Sequence, residues 1–129
     1  MTIRWLTGEW LTAAVTEASG ASGPPTLTAS VVVEVTGGAD GDVVVHGVFD
    51  VGCLVGSGAG TVPSPDVTLT LTDADARLIL SGELELSVAF MQGRMKVAGA
   101  MAPLLDLLAM ASTDDARARR TRLAGLTDF

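Results

Sequence analysis

Alternation of apolar and polar residues in the first half of the chain is typical of β-structure. The pattern predicts four strands, at residues 26–36, 42–49, 51–58 and 66–72. Glycine-rich residues 37–41 lie between the first two strands and predict a hairpin loop, because glycine reaches the positive φ angles that such turns need. In the fourth strand Val67, Leu69 and Leu71 share one face and threonines share the other, so we expect a sheet with one covered and one wetter face.

Helical spacing replaces this alternation after residue 72. Thr72 and Asp75 form a capping-box pattern ahead of a short apolar run, and Gly82 is placed to end the resulting helix. The pattern then predicts a second short helix at residues 83–92 and a half-exposed fifth strand at residues 94–98, where charged and apolar positions alternate.

A longer helix is predicted from residue 101 to residue 110, because its apolar residues recur at positions i, i+3, i+4 and i+7. The stripe consists of Met101, Leu104, Leu105 and Leu108. Near the start of the chain, helical spacing around Trp10 predicts a first helix at about residues 9–18, with Thr7 as its N-cap.

Residues 113–129 are expected to form a terminal helix or a flexible tail. Ser112 or Thr113 can cap such a helix, with Asp114 and Asp115 at its positive end. Arginines follow and are expected toward its negative end: Arg117, Arg119, Arg120 and Arg122. The functional alternative is an arginine patch that docks transiently on anionic lipid headgroups, which the acidic first half of the chain would oppose.

The order of the predicted elements indicates the fold class. Strands come first and helices later, with hairpin-length connections, and 129 residues suit one domain. We therefore predict a single α+β domain over residues 1–129, in which an antiparallel sheet of about five strands carries helices on one face.

Charge and composition exclude several classes of protein. Residues 1–76 hold nine carboxylates and one arginine, giving −8, whereas residues 77–129 hold six carboxylates and seven bases, giving +1. This acidic body has no basic face interleaved with aromatic residues, so nucleic acid is not an expected partner. The single cysteine, Cys53, fits a reducing cytoplasm, and no run approaches the roughly 18 apolar residues of a membrane-spanning helix. Seven arginines against one lysine favour a bacterial source with GC-rich coding.

Individual residues offer little catalytic chemistry. His46 and Asp50 could act as a base and its orienting group, but residues four apart in a strand are about 13 Å apart. Cys53 has no base near it in the sequence and is expected to be a small buried residue. Glycines within residues 56–61 lack dinucleotide-loop spacing, and Pro63 prevents a helix from starting directly after them. We expect no catalytic residue, no cofactor and no metal.

The succession from Asp66 to Met110 resembles the sterol carrier protein type 2 family. It combines the alternating strand, the capped short helix, the segment Ala-Phe-Met-Gln-Gly at residues 89–93 and the apolar helix that follows. The resemblance covers about 45 residues closely and the upstream hairpin loosely. It implies a small non-enzymatic carrier with an apolar cavity for a lipid-like ligand, placed between the sheet and the late helices.

The resemblance also implies which residues wall that cavity. Phe90 and Met91 of the Ala-Phe-Met-Gln-Gly segment, together with the stripe at residues 101–108, are the strongest candidates. The full predicted ligand-binding set is Leu80, Phe90, Met91, Met95, Met101, Leu104, Leu105 and Leu108. Periodicity alone is equally consistent with all eight side chains belonging to the hydrophobic core, because an apolar stripe must cover the sheet whether or not a cavity is present.

Two departures from the family pattern affect the expected assembly. The first helix is shorter than the family's long amphipathic helix, and the proline often seen before the Ala-Phe-Met segment is missing. A shorter helix leaves apolar surface near Trp5 and Trp10, which predicts a homodimer that buries one of them. Two functions stay open: a carrier of a fatty acyl, sterol or similar ligand, or an accessory module that dimerises or docks on a partner enzyme.

Overall fold

A five-stranded sheet is the largest element of the computed structural model, which describes residues 2–18, 23–38 and 41–129. In these residues the strands are β1 (Ile3–Arg4), β2 (Ala29–Gly38), β3 (Gly41–Asp50), β4 (Cys53–Ala59), β5 (Val67–Thr72), β6 (Lys96–Gly99) and β7 (Thr127–Asp128). The sheet has the order β4-β3-β2-β5-β6, while β1 and β7 form a separate parallel pair. The helices are α1 (Gly8–Ala18), α2 (Asp73–Ser81), α3 (Leu86–Met91), α4 (Met101–Ala111) and α5 (Asp114–Leu126). The predicted α+β class is confirmed.

Side-chain caps fix where three of the helices begin. The hydroxyl of Thr72 accepts the Asp75 N–H at 3.2 Å, and Thr113 accepts the N–H of Ala116 at 3.1 Å. At the first helix the Thr7 hydroxyl accepts a 3.3 Å bond from the backbone of Trp10. Each cap satisfies a backbone donor that the helix itself leaves unpaired, so the short polar residues in the sequence predicted these starts correctly.

One strand pair differs from the antiparallel sheet predicted from sequence. β5 runs parallel to β2, with Val31 opposite Val67 and Val33 opposite Leu69, whereas the other neighbouring strands of the sheet are antiparallel. The chain reaches β4 at one edge and then returns to the free side of β2. Residues 60–66 make that return, so β5 enters the sheet in the direction of β2.

The covered face of the sheet carries the core. Val67, Leu69 and Leu71 are buried, as the alternation predicted, and they pack with the inward valines of β2. On the opposite face threonines occupy the intervening positions of β5 and are more exposed. The strands on either side of the predicted hairpin loop, β2 and β3, pair in an antiparallel register, which confirms the predicted pairing. Residues 39 and 40 of the loop itself lie outside the described residues.

Three local predictions were wrong. The second short helix begins at Leu86 instead of residue 83, because the N–H groups of Glu83 and Leu84 bond to the Leu78 carbonyl and complete the end of α2. Cys53 is exposed, since it starts the edge strand β4 directly after a turn. The arginines that were expected toward the negative end of the terminal helix are absent from the last turn of α5.

The arginines of α5 lie earlier in the helix than predicted and pair with carboxylates. Arg119 Nε donates to Asp115 at 2.9 Å, and Arg122 Nε reaches Glu17 of α1 at 2.5 Å. These pairs join α5 to its own first turn and to α1, so much of the predicted arginine patch serves the packing of helices.

Candidate functional site

An apolar cavity of about 350 Å³ lies between the sheet and the helices. Its size falls at the lower end of the about 300–1,000 Å³ typical of small-molecule sites. Its walls are formed by Trp5, Leu6, Trp10, Val31, Val33, Val35, Val45, His46, Gly47, Phe49, Leu54, Ser57, Leu69, Leu71, Ala76, Ile79, Leu80, Leu86, Met95, Leu107 and Arg120. Branched aliphatic side chains dominate this set, so the cavity favours a ligand that is itself apolar.

Short side chains on the sheet leave the room for this cavity. β2 contributes only valines to the wall, at Val31, Val33 and Val35. Gly47 occupies the facing position of β3, where an added Cβ would lie 3.2 Å from a methyl carbon of Leu54. Larger residues at these positions would fill the space, whereas valine and glycine side chains extend only a short distance from the sheet.

Two tryptophans close one end of the cavity. The indoles of Trp5 and Trp10 meet edge to face, with ring centroids 4.8 Å apart. The Trp5 indole donates to the carboxylate of Asp73 at 2.8 Å, and the Trp10 indole donates to the hydroxyl of Thr127 at 2.9 Å. The N–H groups of both indoles are therefore satisfied within the chain, and Trp5 also packs against the ring of Phe129 at 5.2 Å.

A second, smaller cavity of about 220 Å³ adjoins the first and is walled by α1, α4 and α5. The two cavities share four residues: Phe49, Leu86, Leu107 and Arg120. These four residues line both spaces, and we call them the partition. The rim of the second cavity also includes Glu17 and Arg119. Apolar wall residues are thus present from the sheet to the charged surface of α5.

Arg120 brings a charge into this otherwise apolar wall. Its guanidinium donates to the carbonyl of Ala111 at 2.9 Å and lies 3.8 Å from Glu85, too far for a hydrogen bond. Burial lowers the pKa of the Arg120 guanidinium, the nearby Glu85 carboxylate acts against that, and Arg117 adds to the lowering. Arg117 itself donates to Glu85 at 2.9 Å, and this bond raises the pKa of Arg117.

The predicted ligand-binding residues occupy three different environments. Two of them line the larger cavity, and they are Leu80 and Met95. Three pack within or against the core, namely Phe90, Leu104 and Leu108. Three point to solvent on α3 and α4, with exposed fractions of 82% for Met91, 58% for Met101 and 56% for Leu105. The assignment of all eight to a ligand stays a prediction, and the cavity geometry favours the first two.

The sequence does not predict that Trp5, Trp10 and the partition residues line the cavity. The alternation of β2 places its valines on one face, but alternation alone does not distinguish a cavity wall from packed core. Trp5 and Trp10 are held at the cavity through bonds to residues 73 and 127, and no local pattern predicts contacts over such separations. An arginine in a charged helix likewise gives no sequence signal of burial.

Of the residues considered for catalysis, His46 lies in the cavity wall, whereas Asp50 and Cys53 pair with each other where β3 turns into β4. His46 Nδ1 lies 2.9 Å from the carbonyl of Gly60, on a strand position that pairs with Val32. Cys53 lies exposed at the start of β4, away from the cavity walls. Within residues 2–18, 23–38 and 41–129, no group of three or more His, Cys, Asp or Glu side chains could hold a metal ion. The helices in the described part of the chain are too short or too polar to cross a bilayer.

The α+β fold of this chain is that of sterol-carrier proteins. Protein TT1886 of Thermus thermophilus, described as possibly a sterol carrier protein, has a similar solution structure, with a TM-score of 0.76 and 19% identity over 93% of this chain and 90% of that one. A crystal structure of sterol carrier protein 2 has a TM-score of 0.71 and 18% identity over 93% of this chain and 97% of that one. The solution structure of a palmitated SCP2L2 from Aedes aegypti has a TM-score of 0.65 and 19% identity over 88% of this chain and 96% of that one. At these identities the likeness establishes the fold.

The family assignment comes from the sequence match. The model of the SCP-2 sterol transfer family matches residues 26–112, which include β2–β6 and α2–α4. The chain therefore belongs to the SCP-2 sterol transfer family, and the resemblance found in its sequence is confirmed. No curated protein sequence matches the chain. Both α1 and α5, which wall the second cavity, lie outside the matched region.

Proposed function

We propose that the chain binds one apolar, lipid-like molecule in the cavity beneath its sheet and carries it without changing it chemically. The observation that supports this proposal is the composition of the wall: branched aliphatic and aromatic side chains surround a space that no side chain fills. Membership of a sterol transfer family supports the same class of ligand. A fatty acyl chain or a sterol-like molecule fits this chemistry, and no cofactor is needed for it.

Burial of apolar surface supplies the binding energy. Each methylene group that leaves water contributes about 0.8 kcal/mol, and the valine-rich wall demands little desolvation of polar groups in return. Because the sheet and the tryptophan pair already hold the space open, the protein loses little conformational entropy when the ligand enters. A carrier of this kind needs no reactive group; the His46 ring lies at hydrogen-bond distance from the Gly60 carbonyl, and Cys53 is not among the wall residues.

Filling the cavity from the sheet tests the proposal directly. Val33→Trp should occupy ligand space and lower the affinity for a fluorescent fatty-acid probe by about tenfold or more, because Val33 lies in the wall. The matched control is Val55→Trp, which places the same side chain on β4, where Val55 is 60% exposed. The control should keep its affinity within about twofold, since a substitution at an exposed site leaves the cavity unchanged.

Folding has to be verified before these affinities are compared. Circular dichroism and urea unfolding of both variants give that check. A folded Val33→Trp protein with unchanged probe affinity would remove the cavity from the binding site. If delipidated wild-type protein fails to bind any fatty acid, alcohol or sterol probe, the carrier function itself is wrong.

The accessory module remains a second candidate, because Met91, Met101 and Leu105 expose apolar surface on the adjacent helices α3 and α4. Such a surface suits the predicted homodimer or a partner enzyme. The indole N–H groups of Trp5 and Trp10 are bonded within the chain, so their predicted share in that interface is less favoured by the geometry. Light scattering combined with lipid extraction separates the two functions. Co-purifying lipid supports the carrier, whereas a stable dimer without lipid supports the module.

A further inference from the structure

An open groove of about 360 Å³ lies between helix α1 and strand β4, which is an edge of the five-stranded sheet. β4 contributes the consecutive residues 56–59, and α1 contributes Gly8, Leu11, Thr12, Val15 and Thr16. Successive residues of a strand point to opposite faces, so a space that borders all four runs along the edge of β4, where the strand has no neighbour. We call this space the edge groove. Ser57 is the one described residue that it shares with the wall of the larger cavity.

The backbone of β4 directs unpaired donors and acceptors toward the edge groove. The N–H of Gly60 bonds to the carbonyl of Val44 at 2.7 Å, in continuation of the β3–β4 register. Bonded and non-bonded pairs alternate along an antiparallel ladder, so Gly58 uses its N–H and carbonyl toward β3, whereas those of Ser57 and Ala59 point away from β3. No other group in the described part of the chain bonds to these outward groups. Two N–H and two carbonyl groups can therefore pair with another extended chain.

The part of β4 that borders the edge groove lacks the features that usually protect an edge strand. Those features are charged side chains, prolines and bulges. Residues 51–65 contain no charged residue, although the net charge of the chain is −7, and β4 has no proline. The register shift in the pairing with β3 lies between Val48 and Phe49, so residues 56–59 keep a regular register. This stretch of the edge is therefore open to an added strand.

The lining of the edge groove favours a chain with small, uncharged side chains. An added Cβ at Gly56 would meet no atom within 4 Å, and glycine in a strand lets another backbone approach closely. On the helix side, the hydroxyls of Thr12 and Thr16 already bond to the carbonyls four residues earlier, at 3.1 and 3.0 Å. The other helix residues of the lining are aliphatic or glycine, and no lining residue is charged. A charged segment would find no counter-charge in this groove.

We infer that the edge groove binds an extended, uncharged segment of a partner protein, which adds a sixth strand to the sheet beside β4. The backbone of the segment pairs with the outward groups of Ser57 and Ala59, and its alternate side chains contact α1. A single segment suits this site better than a second copy of the chain, because edge pairing of two copies would bring two α1 helices to one groove. The site lies at the edge of the sheet and not beneath it, so it goes beyond the carrier function and does not depend on it.

Selection from a phage-displayed library of random decapeptides supplies a probe for this groove. The selection is done in excess dodecanoic acid, which disfavours peptides that only enter the apolar cavity. We expect the enriched peptides to lack charged residues. Single N-methylation along a synthetic copy of an enriched peptide should weaken binding by about tenfold at alternate residues only, because an added edge strand uses every second N–H.

Two pairs of variants test where the peptide binds. Thr12→Trp fills the groove from the helix side and should weaken binding by about tenfold or more, whereas Thr121→Trp should keep it within about twofold. The two threonines are matched, since both are exposed and both bond to a helix carbonyl four residues earlier. Ala59→Pro removes one outward N–H and no ladder bond, so it should weaken binding by about tenfold, whereas Ala59→Ser keeps the N–H and the affinity. The threonine pair decides the matter if Ala59→Pro does not fold.

Three outcomes overturn the peptide site: no peptide is enriched, the enriched peptides bind Thr12→Trp and Ala59→Pro as they bind wild-type protein, or the N-methylation effects do not alternate. A wild-type dimer that Ala59→Pro converts to a monomer in light scattering also overturns it, and assigns the edge to a second copy. All four variants should bind a fluorescent fatty-acid probe as the wild type does. Failure of the peptide site therefore leaves the carrier function standing, and failure of the carrier function leaves the peptide site standing.

Discussion

Replacement of Asp73 by alanine should loosen the end of the cavity that contains Trp5. Asp73 opens α2, and its carboxylate accepts the Trp5 indole at 2.8 Å and the Arg77 Nε–H at 2.6 Å. Alanine removes both bonds together with a negative charge at the helix N-terminus. It also leaves the half-buried indole N–H without this acceptor, which adds a desolvation cost.

The expected loss can be worked out from these contacts. A hydrogen bond to a charged group contributes about 1.5–3 kcal/mol, and the bond from Trp5 belongs to this class. The pair with Arg77 adds less, about 0.5 kcal/mol, because the Arg77 side chain is 34% exposed. The helix-terminal charge adds about 0.3–1 kcal/mol. We expect Asp73→Ala to lower the free energy of unfolding by about 3 kcal/mol.

Urea unfolding followed by circular dichroism measures this loss. Asp75→Ala is the matched control, since Asp75 also lies in the first turn of α2 but its carboxylate pairs with Arg94 at the longer distance of 3.9 Å. That control should cost no more than about 1 kcal/mol. A double-mutant cycle with Trp5→Phe should give a coupling of about 1–2 kcal/mol. A loss below about 0.5 kcal/mol, or an additive cycle, would refute the role assigned to this carboxylate.

Three further predictions concern separate features. Gly99→Ala should prevent stable folding, because the φ angle of Gly99 is 115° and the new Cβ would clash with the Asp66 carbonyl. The control Gly93→Ala has open space around the new Cβ and should lower the free energy of unfolding in urea by only about 1 kcal/mol. Leu105→Ser should leave probe affinity within about twofold, since the side chain is exposed; a tenfold loss would return this face of α4 to the binding site. Thr113→Ala should cost about 1 kcal/mol by thermal unfolding through loss of the α5 cap, and an unchanged melting temperature would contradict it.

Local rules predicted the elements well because their causes are local. The alternation of β5 places its leucines inward, and the hydroxyls of Thr7, Thr72 and Thr113 start helices through bonds to residues three positions later. The parallel pairing of β5 was not predictable in this way. Register and direction depend on which sheet edge is free when the chain returns, and that is a property of the whole sheet.

The cavity wall was harder to predict because α4 is apolar on most of its surface. Of the predicted stripe the helix buries Leu104, exposes Met101 and Leu105, and buries Leu107, which the stripe did not include. Both choices satisfy helical spacing in the run at residues 104–108, so periodicity cannot decide how the helix is rotated against the sheet. The rotation is set by packing against the strands and the neighbouring helices, which the sequence pattern does not contain.

The parallel pair of β1 and β7 gives the cavity an end with its own local stability. Each strand is two residues long, and the Trp5 N–H bonds to the carbonyl of Asp128 at 2.9 Å. These partners lie near opposite ends of the chain, so the pairing can form only after the rest of the domain has brought them together. Few backbone bonds hold the strand pair, and it can open while the five-stranded sheet stays intact once the Trp10–Thr127 side-chain bond is also released. The amide proton of Trp5 should therefore exchange with solvent faster than those of β2, through a subglobal opening that uncovers the tryptophan pair and leaves the valine wall in place.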